Sequence, residues 1–216
     1  MSSSSNKEQT TPNFRSRDPA DPGFWSERFE QHFMPWDKGG VPAALQDFVA
    51  QAASSAVTLI PGCGRGYEVA YLSEAGWEVT AIDFSPAAVA AARSVLGRWA
   101  DRVEQADFFS YAPPQPLGLI YERAFLCALP RHMRAAIAAR WAALLPAGGL
   151  LAGFFYFDDA AKGPPFGIAP DELEALLAPY FERMADQPVS DSIPAFAGKE
   201  RWQVWRRLAA CGLRDA

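Results

Sequence analysis

The sequence predicts an α/β domain: a mostly parallel seven-stranded sheet with an antiparallel C-terminal strand and helices on both faces. Three observations lead there. A short apolar run at 56–60 is followed at once by the glycine-rich turn Pro61-Gly62-Cys63-Gly64-Arg65-Gly66. Apolar runs of strand length then alternate with stretches of helical periodicity as far as residue 157, which is the signature of successive βαβ units. Two more strand-like runs, 181–189 and 200–208, stand near the end with no long helix between them. They are expected to close the sheet as an antiparallel hairpin.

Each element has a local reason. The run 56–60 holds β-branched residues and stops at a proline and glycine, as a buried strand does. Residues 67–75 then follow a helical pattern that ends at Gly76. A second strand, 77–82, stops at Asp83. Ser85 caps the next helix and Pro86 sits in its first turn, where the missing N–H has no partner to lose. The Ala-rich stretch to Leu96 continues that helix, and 102–106 forms a third strand ending at Asp107. Residues 117–121 are the fourth strand, and 131–145 are helical up to the break at Pro146-Ala147-Gly148-Gly149. The uniformly apolar run 150–157 suits a central strand covered on both faces. A Pro/Gly loop through 163–166 and a short amphipathic helix at 171–177 lead to the final pair.

A length of 216 residues suits one core. A net charge of -5 argues against general affinity for nucleic acid, which needs Lys and Arg to neutralise phosphates. Cys63, Cys127 and Cys211 are odd in number and far apart, which indicates neither a disulfide framework nor a metal site and fits a reducing cytoplasm. The Ser-rich residues 1–13 read as a disordered leader, and no run reaches the roughly 18 apolar residues that cross a bilayer. The expectation is a cytoplasmic monomer that works on a small molecule, without metal, nucleic acid or membrane. The aromatic-rich segment within 14–45 is expected to form a lid and a helix, and 46–216 the binding domain.

A glycine turn between a first strand and a first helix lets a ligand approach the backbone closely, and open α/β sheets bind ligands beyond their strand ends. Asp83, at the end of the second strand, is placed to accept hydrogen bonds from a ribose diol. Nicotinamide dehydrogenases and S-adenosylmethionine methyltransferases share this arrangement, and three details favour the second. Tyr67 stands where a dinucleotide fingerprint needs a third glycine. Asp107 and Phe108 close the third strand, where a carboxylate meets an adenine amino group and an aromatic face covers the ring. A terminal antiparallel pair is foreign to most dinucleotide domains. No Gly-Lys-Ser/Thr follows the glycines, so a P-loop is excluded.

Several motifs resemble the thiopurine methyltransferase family, which also takes in methylators of selenium, tellurium, thiols, thiocyanate and halides. They are Phe24-Trp25, Met34-Pro35-Trp36-Asp37, Ile60-Pro61-Gly62-Cys63-Gly64 with Asp83, Asp107-Phe108-Phe109, Leu119-Ile120-Tyr121-Glu122-Arg123-Ala124 and Gly163-Pro164-Pro165-Phe166. The resemblance runs from about Phe24 to Leu208. It implies a Rossmann-like class I methyltransferase that uses S-adenosyl-L-methionine, releases S-adenosyl-L-homocysteine and needs no metal. It further implies that Trp36 closes over the cofactor, that the backbone at Gly62, with Cys63 and Gly64, contacts it, and that Asp83 and the adjacent Phe84 hold its ribose side. Asp107 and Phe108 then meet the adenine, while Arg123 and Ala124 lie beside the methionine moiety and substrate. Trp25 and Phe29 fall where relatives carry lid aromatics, and Arg201 is a candidate second arginine on the substrate side. The chain departs from the family in having Leu117-Gly118 where an acidic residue is common and Glu122 where Asp is usual.

Plainer readings stand beside these. Without its flanking motif Trp36 would more often be a core anchor, Arg123 is equally a partner for Glu122 or Asp107 at a strand end, and Cys63 a small packing residue. His32 and His132 are read as structural or exposed. Two alternatives to a methyltransferase are a nicotinamide oxidoreductase and a non-catalytic cofactor-binding interaction protein.

Overall fold

The computed structural model describes residues 12–209. Of the expected leader only Pro12 and Asn13 fall within that range, and Cys211 lies outside it.

Two helices come first, α1 (Pro22–Glu30) and α2 (Ala43–Gln51). The βα alternation then runs β1 (Val57–Pro61), α3 (Tyr67–Glu74), β2 (Glu78–Asp83), α4 (Pro86–Leu96), β3 (Val103–Gln105) and β4 (Leu119–Arg123). The chain continues through α5 (Phe125–Ala128), α6 (Arg134–Leu144), β5 (Leu150–Tyr156), α7 (Pro170–Leu177), β6 (Phe181–Pro188) and β7 (Glu200–Arg207). The seven strands lie in the order β3-β2-β1-β4-β5-β7-β6. β7 is antiparallel to both β5 and β6, so the expected hairpin closes the sheet with its second strand inside its first.

Strand alternation explains why helices cover both faces. Successive residues of a strand point to opposite sides: Leu59, Ile82 and Ile120 join Trp141 of α6 and Leu173 and Leu177 of α7 in one core. Ile60, Ala81 and Leu119 join Leu45 of α2, Val69 and Leu72 of α3 and Val89 of α4 in the other. Ser85 caps α4 as expected, its hydroxyl accepting from the Ala88 N–H at 3.2 Å.

Most element ends shift by one or two residues from the sequence expectation, and three of the shifts have a visible local cause. The third strand shortens to Val103–Gln105 because a 3-10 turn, Gly97–Arg102, precedes it. A second 3-10 turn, Arg131–Met133, replaces the start of the helix expected from residue 131. The fourth strand reaches Arg123, two residues further than expected, because the charged Glu122 and Arg123 still pair with Gly153 and Phe154 of β5. Gly153 is required there: a Cβ on it would lie 1.9 Å from the Glu122 carbonyl oxygen.

Glu122 is itself buried, and its Oε1 accepts from the Leu126 N–H at 3.2 Å while Oε2 has no protein partner. Burial pushes its carboxyl up from 4.5 to about 8, against the pull of backbone N–H groups and Arg123. The folded chain therefore holds this proton more tightly than the unfolded chain. The linked stability is complete below pH 4.5 and is lost as pH rises towards 8. Glu122→Gln, neutral at every pH, is expected to melt about 3 °C or more above the parent near ~pH 8.5, with the difference shrinking towards ~pH 5. Parallel melting profiles for the two proteins would contradict this assignment.

Candidate active site

The chain runs outward from β1 to β3 and returns through β4 on the other side of β1. Such a reversal of direction opens a crevice beyond the carboxyl ends of the two central strands. A cavity of about 1030 Å³ lies there, more than one small ligand needs. Gly62 (φ 62°) and Gly64 (φ 55°) turn the chain at its floor, and Ala124 (φ 61°) makes the matching turn after β4.

Asp83 ends β2 at the cavity wall. Its Oδ1 accepts from the Ser85 N–H at 2.9 Å and its Oδ2 from the Gly64 N–H at 3.3 Å. Each carboxylate oxygen has a further acceptor site, so the pair fits a diol without losing either backbone bond. Burial pushes this carboxyl up to about 6, with the Ser85 and Gly64 N–H groups opposing the rise. Phe84, Asp107 and Phe108 line the same cavity. Asp107 Oδ1 accepts from the Phe109 N–H at 3.0 Å, and the buried Phe108 ring stands 4.9 Å from that of Phe125.

The N-terminal segment forms the opposite cover. Trp25, Phe29 and Trp36 line the cavity, with Trp36 edge-on to Trp25 at 5.4 Å and to Phe29 at 6.2 Å. Trp36 also packs against the cluster of Cys127, Tyr156 and Phe196. Three polar links hold this cover in place. The Ser26 and Ser85 hydroxyls share a hydrogen bond of 2.9 Å, Tyr67 Oη donates to Asp37 Oδ2 at 3.2 Å, and Lys38 pairs with Asp191. Tyr67, the residue that spoils a dinucleotide fingerprint, thus ties the Pro-Trp-Asp motif to the start of α3.

The structure brings together Trp25, Phe29, Trp36, Gly62, Gly64, Asp83, Phe84, Asp107, Phe108 and Ala124 around one cavity. Cys63, Arg123 and Arg201 are not among its described lining residues. Cys63 packs against the α3–α4 core, where burial and the nearby Asp83 push its thiol well up. Arg123 pairs with neither Glu122 nor Asp107: its Nη1 donates to Glu200 Oε1 of β7 at 2.6 Å, and its guanidinium lies 4.4 Å from the Phe154 ring. Glu200 stands across β5 from Arg123, a closeness of strands that only the sheet order creates. Arg201 pairs with Asp186 of β6 at 2.5 Å.

Sequence reasoning missed other lining residues, namely Phe14, Arg17, Arg28, Phe125, Met133 and Phe196. Of these only Arg28 carried a signal, as a cation four residues after Phe24 in an aromatic helix. Among the described residues no group of three or more His, Cys, Asp or Glu is placed to hold a metal ion. No described helix is long and apolar enough to cross a membrane.

Solved structures share this architecture. The 1,6-didemethyltoxoflavin-N1-methyltransferase of Burkholderia thailandensis, solved with 1,6-didemethyltoxoflavin and S-adenosylhomocysteine bound, matches with a TM-score of 0.71 at 20% identity, over 91% of this chain and 93% of its own. The fold is therefore that of the Rossmann-like class I methyltransferases. Sequence comparison narrows the class: a model of the family Thiopurine S-methyltransferase (TPMT) matches residues 20–208, and the chain belongs to that family. A thiopurine S-methyltransferase of Shewanella sp. (strain ANA-3) is 31% identical over 218 residues, covering 90% of this chain and 99% of that protein. Thiocyanate methyltransferase 1 of Arabidopsis thaliana is 28% identical over 194 residues, covering 86% and 85%. The protein is an S-adenosylmethionine-dependent methyltransferase, and the nicotinamide alternative falls.

Proposed function

We propose that this enzyme methylates a small soft nucleophile, namely a thiol, a thiopurine-like thione, a selenium or tellurium species, thiocyanate or a halide. One observation carries the reading. Among the described lining residues the only titratable side chains are Arg17, Arg28, Asp83, Asp107 and Cys127. Both carboxylates are engaged by backbone N–H groups, and burial, with Glu122 and Glu200 nearby, raises the Cys127 thiol so that it stays protonated. In this reading both carboxylates are taken up by the cofactor, Asp83 by the ribose and Asp107 by the adenine, which leaves no described lining side chain as general base for the acceptor, so the acceptor has to arrive with its electron pair available, as soft anions do.

The bound cofactor supplies a methyl group on a sulfonium, and transfer forms the new bond as the old electron pair returns to sulfur, annihilating charge when the acceptor is an anion. The chain's part is to bind, orient and exclude water. In this reading Asp83 accepts the ribose hydroxyls and Phe84 flanks them. Gly62 and Gly64 present backbone, while Asp107 and Phe108 take the adenine. Ala124 borders the methionine end, and Arg123 acts through its pair with Glu200, which fixes the end of β4. Arg201 holds β7 to β6 from outside the cavity. Within residues 14–45 the stretch ahead of α2 forms the lid, with Trp25, Phe29 and Trp36 as its inner face, while α2 places Leu45 in the core of the cofactor domain that continues from residue 46. We read the protein as a cytoplasmic monomer that acts on free small molecules without nucleic acid.

Two experiments test the reading. Incubation with labelled S-adenosylmethionine and a panel of thiols, selenite, tellurite, thiocyanate and iodide should label at least one acceptor; cofactor binding with no labelled product would oppose it. Trp36→Ala should weaken S-adenosylhomocysteine binding about tenfold through lost aromatic cover, with little change in melting temperature. Unchanged affinity would remove the lid role.

A further inference from the structure

Arg28 of α1 is a cation placed on the cavity wall that makes no salt bridge among the described residues. Its guanidinium lies 3.3 Å from the centre of the Phe24 ring and 4.1 Å from that of Phe14. Its one side-chain hydrogen bond among the described residues runs from Nη1 to the Phe24 carbonyl at 2.6 Å, which leaves Nε and Nη2 free to donate. The adjacent Glu27 is occupied elsewhere, its Oε2 accepting from the Arg15 and Ser16 N–H groups at 2.7 and 3.3 Å. Asp83 and Asp107, the carboxylates on the same wall, are held by backbone N–H groups and make no ion pair with it. Arg17, also on the wall, adds a second positive charge.

Partial burial and the nearby Arg17 lower the pKa of Arg28, against the opposite effect of Glu27, and a partly screened guanidinium beside aromatic rings can form charge-assisted hydrogen bonds to an incoming anion. A residue needed only to fix α1 would be satisfied by its bond to Phe24 and its rings. Arg28 Nε and Nη2 are not among the buried polar atoms left without a partner, so they stay open at the cavity wall, where an anion can reach them.

We propose that Arg28 is the anion-binding residue of the cavity and holds the methyl acceptor there as a small anion. The inference rests on the function proposed above and narrows its acceptors to those negatively charged when bound. The same chemistry has a second source, the carboxylate of the cofactor's methionine tail, and the experiment separates the two.

The test compares wild type, Arg28→Met and Arg28→Lys. It measures the KM for thiocyanate and for iodide at saturating S-adenosylmethionine, and the Kd for S-adenosylhomocysteine by calorimetry. Arg28→Met should raise the KM for the anions at least tenfold, on the scale of one lost charged hydrogen bond, while the Kd for S-adenosylhomocysteine stays within twofold. Arg28→Lys should recover part of the anion KM, which a purely structural loss would not allow. If Arg28→Met fails to fold, Arg28→Lys carries the test alone: an unchanged KM would reject the inference, since lysine cannot reproduce the guanidinium fork. An unchanged KM in Arg28→Met, a loss confined to S-adenosylhomocysteine, or a wild type that turns over neither anion would each overturn it. Failure of wild type to bind S-adenosylhomocysteine would instead overturn the cofactor reading on which it rests.

Discussion

Asp83→Ala is expected to weaken S-adenosylhomocysteine binding tenfold or more near ~pH 7.5, the scale of one to two charge-assisted hydrogen bonds at about 1.5–3 kcal/mol. The carboxylate is buried, bonded to two backbone N–H groups and set at the cavity wall. Burial has pushed its pKa up to about 6, which gives the prediction a second axis. Cofactor hydroxyls are better held by the ionised form, so wild-type affinity should rise as pH increases through about 6 and level off above it. Fold stability moves the opposite way. The folded chain binds this proton more tightly than the unfolded chain, so the linked stability is full below 3.8 and is lost as pH climbs to about 6. Asp83→Ala should flatten both trends, and Asp83→Asn should flatten the pH dependence while retaining part of the affinity. A change under twofold in Asp83→Ala would count against the ribose role.

Gly62→Val is expected to reduce cofactor affinity on the order of a hundredfold, about 2.7 kcal/mol. Two costs combine at this position. The backbone sits at φ 62°, where a β-branched residue is strained by about 1–3 kcal/mol. A Cβ would also lie 2.8 Å from Cδ2 of Phe125, and that ring packs on Phe108, the proposed adenine cover. The substitution thus disturbs the approach to the backbone and the aromatic wall together. Calorimetry with S-adenosylhomocysteine, paired with a melting curve to confirm a folded protein, decides the matter; near-native affinity would contradict the role assigned to this turn.

What the sequence made legible was local. A glycine turn after β1, an acid at the end of β2 and an Asp-Phe pair after β3 are each read from a few neighbouring residues, and the parallel order of those strands brings them to one cavity. Arg123 shows the limit. Its partner, Glu200, is 77 residues away, and only the insertion of β7 beside β5 makes them neighbours. Glu122 shows another, since a carboxylate that remains buried and protonated has no signature in composition. The short α5 left no periodicity to detect. Arg28 offered only a faint signal, a cation four residues after Phe24 in an aromatic helix, until α1 folded across the cavity and set it on the wall.

The most direct measurement of the central claim is a crystal structure of the wild-type enzyme with S-adenosylhomocysteine bound. The ribose hydroxyls are expected within hydrogen-bonding distance of the Asp83 carboxylate, the adenine against Phe108, and Trp36 over the mouth. Density for the nucleoside elsewhere on the protein, or an Asp83 side chain turned away from the sugar, would contradict the account.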